Sequence, residues 1–271
     1  MVTPPTAYAT AITPPGNRPH SIAVFGCTGN AGRAVAYHTI KSAARKPNAN
    51  INVALSGRNE DKVKKILEGI RDELKSEGID TDSTKIDIVI ADASDEQSML
   101  TLAQSTSILV SCAGPYARYG EAAVKACVEG GAHYIDITGE IGFIERMISD
   151  YGAQAEKAGV TLCPFSGYDC VPAELGMFLV GKALEMEGSE MNELALNFRG
   201  KGGGFPRGTV ETILDIFEGK QPKRREGDPR FYPKEYRTTA TNALSLKQWV
   251  LPKYQFGQFT GPNFMKCIRY N

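Results

Sequence analysis

The sequence predicts an α/β protein built on a doubly wound parallel sheet, and three observations predict it. Six short apolar runs recur between Ile22 and Pro164, each closing on glycine or polar residues. Stretches with apolar residues at helical spacing lie between them, the alternation of strand and crossover helix that a parallel sheet requires. The first run passes directly into a glycine-spaced turn that opens a helix.

That first unit is Ile22-Ala23-Val24-Phe25 as strand, Gly26-Cys27-Thr28-Gly29-Asn30-Ala31-Gly32 as turn, and a helix from Arg33 to about Arg45. Glycine at the first position permits the turn, at the second lets backbone N–H groups approach a diphosphate, and at the third allows close packing of helix on strand. The helix N-terminus adds unpaired donors and a positive dipole end, so Thr28, Asn30, Ala31 and Arg33 join the three glycines as candidate cofactor contacts. The spacing is Gly-x-x-Gly-x-x-Gly, which a plain surface turn would also show. The repetition of strand and helix downstream favours the dinucleotide site.

Ile51 to Leu55 reads as the second strand and ends in Ser56-Gly57-Arg58-Asn59. An acidic residue here would contact the ribose 2′-hydroxyl of NAD, whereas arginine accommodates the 2′-phosphate of NADP. Arg58 is therefore the candidate phosphate clamp, with Gly57 beside it, Arg33 and Asn59 as helpers, and NADP preferred over NAD. A solvated arginine is the plainer alternative. Val63, Ile66, Leu67, Ile70 and Leu74 form the core stripe of the next helix. The third strand, Asp87 to Ala91, closes at Asp92, which is either an adenine contact or a strand-end turn residue. Ser94 and Gln97 then form a capping-box pattern for the following helix.

Strand four, Ser107 to Ser111, runs into a polar and aromatic loop from Cys112 to Glu121, with the helix expected from about Glu121. Ala113, Gly114 and Pro115 begin that loop at the carboxyl end of a central strand, where open α/β sheets bind ligands. Strand five, His133 to Ile137, opens into Thr138-Gly139-Glu140, a second polar strand end. Phe143, Ile144, Met147, Ile148, Tyr151 and Ala155 form another amphipathic face, closed by Gly159. Val160 to Pro164 makes strand six, and Pro172 suits the first turn of a helix bearing Leu175, Phe178 and Leu179. Beyond Gly188 the pattern changes: Leu194, Leu196 and Phe198 alternate as in a half-buried strand. A glycine segment, Gly200 to Thr209, leads into a helix with Val210, Ile213, Leu214 and Phe217. Three parts follow: a disordered tail over 1–19, a nucleotide-binding domain over 20–187, and a partial α+β domain over 188–271 for substrate or dimerisation.

Composition excludes several partners. Among 271 residues, 31 Lys and Arg balance 31 Asp and Glu, so no basic field recruits nucleic acid and the partner is a small molecule. No apolar run approaches the roughly 18 residues that span a bilayer. The six cysteines show no Cys-x-x-Cys pair and no zinc spacing, so no metal is expected, and they read as reduced thiols of an intracellular protein. Cytoplasmic placement is expected, with mitochondrial or lipid-associated placement as alternatives. The Pro-, Thr- and Ala-rich stretch from Met1 to Pro19 carries Arg18 alone as charge, which reads as a tail rather than an arginine-rich presequence. His20, His38 and His133 read as structural, Lys223-Arg224-Arg225 as a solvated run, and Tyr37-x-x-x-Lys41 as a chance match to the reductase acid pair, since it follows the glycine turn.

Several blocks together resemble the saccharopine dehydrogenase-like oxidoreductases, whose relatives include trans-acting enoyl reductases of lipid biosynthesis. They are Gly26 to Gly32, Gly57-Arg58-Asn59, Gly114-Pro115-Tyr116-x-x-Tyr119-Gly120-Glu121, Asp136-x-Thr138-Gly139-Glu140 and Gly167-Tyr168-Asp169-x-x-Pro172-x-x-Leu175-Gly176. The chain departs from that pattern at Tyr168 and Cys170, where the family commonly has Phe and Ser. The resemblance implies a Rossmann domain that binds NADP, an oxidoreductase, and a second domain that is incomplete here. The first expectation is hydride transfer to a C=N, C=O or activated C=C bond, with Tyr116 or Tyr119 as proton donor and Glu140 or Asp169 as orienting carboxylate. The second is a non-catalytic NADP-binding sensor or scaffold, since no acid/base pair stands out. Arg118, Arg199 and Arg207 are the available cations for a diacid substrate, while a lipid-linked substrate would need an apolar channel.

Overall fold

A computed structural model describes residues 18–168, 170–189 and 207–220. Its centre is a six-stranded parallel sheet in the order β3-β2-β1-β4-β5-β6. The strands are β1 His20–Phe25, β2 Val53–Gly57, β3 Ile86–Ile90, β4 Thr106–Ser111, β5 His133–Asp136 and β6 Leu162–Cys163. The helices are α1 Asn30–Ala44, α2 Glu60–Ser76, α3 Glu96–Ser105, α4 Tyr116–Gly130, α5 Ile141–Ala158, α6 Val171–Met186 and α7 Arg207–Phe217. The order reverses at β1, with β2 on one side and β4 on the other, so the carboxyl ends of those strands frame a crevice.

Alternation along β1 shows why the sheet needs helices on both faces. Ala23 and Phe25 pack with Met99, Leu102, Val124 and Phe143 of α3, α4 and α5. Val24 points the other way, into Tyr37 and Ile40 of α1 and Val63, Leu67, Ile70 and Leu74 of α2. A strand buried on both faces must be apolar at every position, hence the unbroken run Ile-Ala-Val-Phe. Each fully buried Leu, Ile or Phe contributes about 1.5–3 kcal/mol.

Several edges differ from the sequence reading. β2 lies two residues later than Ile51–Leu55, because its pairing runs from Ile22↔Val53 to Phe25↔Ser56. Helix α3 is capped by Asp95, whose carboxylate accepts from the amides of Gln97 (3.1 Å) and Ser98 (3.3 Å); Ser94 instead bonds Asp92, so the proposed capping box is not formed. β6 shrinks to Leu162–Cys163. The polar loop after β4 is shorter than expected, because α4 starts at Tyr116 and carries Arg118, Tyr119 and Glu121 with it. On α6 the apolar residues Leu175, Phe178 and Leu179 are exposed, and on α7 Leu214 and Phe217 are exposed while Asp215 is buried.

Arg18, assigned by composition to the tail, is held by the folded body. Its guanidinium donates to the carbonyls of Ala103 (2.7 Å), Thr106 (2.6 Å), Gly130 (2.8 Å) and Gly131 (3.0 Å), at the carboxyl ends of α3 and α4. His20 is buried between Asp87 and the Ser105 carbonyl, a structural role. Tyr37, Lys41 and Glu77 bond one another and tie α1 to the end of α2, which accounts for the Tyr-x-x-x-Lys match without catalysis. Among the described residues the thiols of Cys27, Cys112, Cys127 and Cys163 are not in disulfides, and no helix is long and apolar enough to cross a membrane. Asp169, the alternating segment around Leu196, Arg199, Lys223-Arg224-Arg225 and Cys267 lie outside the described residues.

Candidate active site

The turn after β1 is shaped by three glycines with three different reasons. Gly26 has φ +78°, and a Cβ there would stand 2.9 Å from the Ala113 amide nitrogen, so only glycine fits between the ends of β1 and β4. The amides of Gly26 and Cys27 donate to the Ser56 carbonyl at 2.9 and 3.2 Å, binding the turn to the end of β2. A Cβ on Gly32 would lie 2.1 Å from the Gly26 carbonyl oxygen, which fixes the close approach of α1 to the strand. Gly29 is different. A Cβ there would meet only the Gly26 oxygen at 3.5 Å, an ordinary contact, so the protein's own packing does not demand glycine.

Gly29 also caps α1, whose first turn contains no side-chain cap and no acidic residue. Helices α2 and α3, by contrast, have both: Asn59 with Glu60 and Asp61, and Asp95 with Glu96. The amides of Asn30, Ala31 and Gly32 open α1 without intrahelical partners, so its N-terminus is arranged for an external anion. A dinucleotide diphosphate fits this cradle: donors, dipole and the space in front of Gly29 coincide.

The end of β2 lies beside this turn. Gly57 packs on Thr28, where a Cβ would come within 3.7 Å of the threonine Cγ2. Arg58 is exposed at the end of β2, close enough that its charge helps hold the Asp92 carboxyl below its usual range, chiefly set by hydrogen bonds from Ser94. Asp92 therefore serves as a turn residue beside Arg58. Asn59 spends its side chain on the Lys62 amide (2.9 Å), and Arg33 is paired with Glu73 at 2.6 Å.

At the ends of β4, β5 and β6 a connected polar chain appears. Tyr134 Oη donates to Asp136 Oδ2 (2.8 Å), and Asp136 Oδ1 accepts from the amides of Thr138 (3.0 Å) and Phe165 (3.1 Å). Phe165 is held at φ +57°, a left-handed conformation uncommon for a bulky residue. The Thr138 hydroxyl accepts from the Glu140 amide (3.0 Å), and the Glu140 carboxylate accepts from the amides of Tyr116 (2.8 Å) and Ala117 (2.9 Å), the first turn of α4. Burial pushes the Asp136 carboxyl up to about 6. Helix α7 closes over this edge: Thr212 donates to Glu140 (3.3 Å), and Asp215 pairs with Arg118.

Residues 22–163 match the family model described as the saccharopine dehydrogenase NADP binding domain, more than half of the chain. The chain belongs to the saccharopine dehydrogenase-like family. A Caenorhabditis elegans lipid droplet localized protein is 31% identical over 196 residues, 72% of this chain and 44% of that one. The saccharopine dehydrogenase-like oxidoreductase of Rattus norvegicus is 35% identical over 161 residues, 59% of this chain and 37% of the relative. A Mycobacterium tuberculosis protein named as a trans-acting enoyl reductase is 28% identical over 200 residues, 73% of this chain and 44% of the relative. The chain spans less than half the length of these relatives.

Within this saccharopine dehydrogenase-like domain the two tyrosines part company. Tyr116 is buried, donates to the Ser111 carbonyl at 2.9 Å, and burial raises its phenol far above the ordinary range. Tyr119 is 43% exposed on the same helix turn. Glu140 is committed to the N-terminus of α4. Gly114 and Pro115, joined by a cis peptide, lie between β4 and that helix. Asp136 is the network residue to which the sequence reading gave no role of its own. Its signal was present, since an aspartate inside the apolar strand His-Tyr-Ile-Asp-Ile must find hydrogen-bond partners. Asp215 and Thr212 carried no such signal, because nothing in the local pattern of α7 says which element it covers.

Proposed function

We propose that the chain binds NADPH across the carboxyl ends of β1, β2 and β4 and works as a reductase of a C=N, C=O or activated C=C bond. The observation that carries the reading is the glycine turn: Gly26 and Gly32 are required by packing and Gly29 is not, so its bareness serves a ligand at the uncapped start of α1. Bound there, the nicotinamide would supply the hydride. Arg58 would neutralise the 2′-phosphate, which sets NADP above NAD. Asp136, Thr138 and Glu140 hold the strand ends and the start of α4 in place, and α7 screens that edge from water. The Tyr119 phenol, exposed one turn above, would protonate the reduced atom, with Asp169 as the orienting carboxylate; Tyr116 and Glu140 serve to build the edge. The worm relative's name, a lipid droplet localized protein, supports lipid-associated placement, and the mycobacterial relative's name supports an activated C=C bond as the acceptor; a lipid-linked substrate is the reading that joins the two. The alternating segment beyond Gly188 is assigned to a substrate or dimerisation domain.

Titration of NADPH fluorescence tests the binding half. Micromolar association is expected, and Arg58→Asp should weaken NADPH about tenfold or more while sparing NADH. Equal losses would remove the clamp. Decay of bound NADPH fluorescence on adding imine, carbonyl or enoyl compounds tests the chemistry. Tyr119→Phe should then abolish turnover and leave binding intact. Binding with no decay for any of these compounds would favour the sensor reading, which the structural duties of Tyr116 and Glu140 support.

A further inference from the structure

Helix α7 turns its apolar residues outward and buries a charge. Val210, Leu214, Ile216 and Phe217 are exposed, and Asp215 is the one buried residue of α7 among those described. A helix docked by the hydrophobic effect would do the reverse. What seats α7 is polar: Thr212 donates to Glu140 (3.3 Å), and Asp215 Oδ1 accepts from the Arg118 guanidinium. No backbone hydrogen bond joins α7 to another element among the described residues. The other oxygen, Asp215 Oδ2, is buried without a hydrogen-bond partner, so the carboxylate fits its place incompletely.

The place itself attracts anions. Arg118 lies in the first turn of α4, which has no acidic residue of its own, and a cation at that positive end of the helix dipole is unfavourable until an anion answers it. Two carboxylates come from other elements: Glu140 takes the amides of Tyr116 and Ala117, and Asp215 takes Arg118. Glu140 belongs to the chain of hydrogen bonds that runs back through Thr138 to Asp136, whereas Asp215 arrives on α7. The exposed Tyr119 interacts with the same guanidinium, so this place adjoins the phenol proposed as proton donor.

We propose that Arg118 and the start of α4 form a carboxylate seat, which Asp215 fills until a ligand's carboxylate takes it over and releases α7. The inference rests on reading this edge as the substrate side, and it names the group that a substrate presents there. Asp215 is the internal competitor. The incoming carboxylate exchanges one ion pair for another and returns the orphaned oxygen to water, so apparent affinity is reduced to the extent that α7 is seated.

The test pairs hydrogen–deuterium exchange with calorimetric titration of the 271-residue chain, using acetate as the probe and chloride at the same ionic strength as the control. In the wild type, exchange over 207–217 should rise saturably with acetate and not with chloride. Asp215→Asn removes the competitor and should bind acetate about tenfold more tightly than the wild type. Arg118→Ala releases α7 as well, yet should bind no acetate, a contrast that a latch serving only to hold the helix would not produce. Thr212→Val, which loosens α7 and leaves the seat intact, should tighten acetate about threefold and decides the matter if Asp215→Asn is poorly folded. Acetate affinity that is the same in Asp215→Asn and Arg118→Ala, or exchange over 207–217 that acetate changes no more than chloride does, overturns the seat. A wild-type chain that shows the acetate effect but binds no dinucleotide loses the cofactor reading and keeps the seat, and one that binds NADPH without the acetate effect does the opposite.

Discussion

A methyl group added at Gly32 and one added at Gly29 meet different surroundings. At Gly32 it would enter the Gly26 carbonyl, 2.1 Å away, and α1 must shift off the sheet. Gly32→Ala should therefore destabilise the domain by about 1–3 kcal/mol, seen as a lower urea midpoint. At Gly29 the methyl group finds room within the protein but occupies the diphosphate's space. Gly29→Ala should cost stability no more than about 1 kcal/mol and yet weaken NADPH about tenfold or more in the same fluorescence titration. Asp136 sets a second expectation, through pH. Its carboxyl is raised by burial from near 4 to about 6, so the folded state holds the proton more tightly than the unfolded chain. The stability this contributes is complete below pH 4 and is lost as pH rises through 6, on the order of 2 kcal/mol. Asp136→Asn should remove that part of the slope between pH 4 and 6, measured as the difference between variant and wild-type denaturation curves. These residues were unequally legible. Gly29 was named for its spacing, whereas Asp136 had to be seen beside Phe165 and Thr138 before its burden was evident.

At the level of elements, period decides existence and neighbours decide ends. The stripe Val63, Leu67, Ile70, Leu74 made α2 readable, and all four are buried. The start of α4 was hidden, because Pro115 and the tyrosines after it read as loop, and what initiates the helix is a carboxylate from β5's far side, Glu140. No window of sequence contains both. The cap of α3 makes a local case: Asp95→Ala should cost about 1 kcal/mol, whereas Gln97→Ala should change little, a contrast thermal unfolding would show. Arg18 makes a distant one. It satisfies four carbonyls at the carboxyl ends of α3 and α4, where a cation is favoured. Arg18→Met should leave those acceptors short and cost about 2–3 kcal/mol in urea unfolding, with an unchanged slope.

For the molecule as a whole, the parallel sheet with helices between its strands followed from the apolar runs and the glycine turn, whereas the strand order came from the structure and the second edge could not be read, because α7 returns to it from beyond a long glycine-rich connection. Asp215 is 1% exposed and answered by Arg118. Removing the cation leaves a buried charge, which is costly. Arg118→Ala should thus loosen α7 while the sheet stays intact, raising amide exchange in 207–217 about tenfold or more without altering exchange in β1. Wiring among the strand ends has a broader effect. The amides of Phe165 and Thr138 hang on one aspartate, that threonine holds Glu140, and Glu140 holds Tyr116 and Ala117. Three connections that look separate along the chain are in series. They should breathe together: deuterium uptake at Tyr116, Thr138 and Phe165 should slow in concert when a dinucleotide settles, and a substitution in any one should be felt as mobility in the other two.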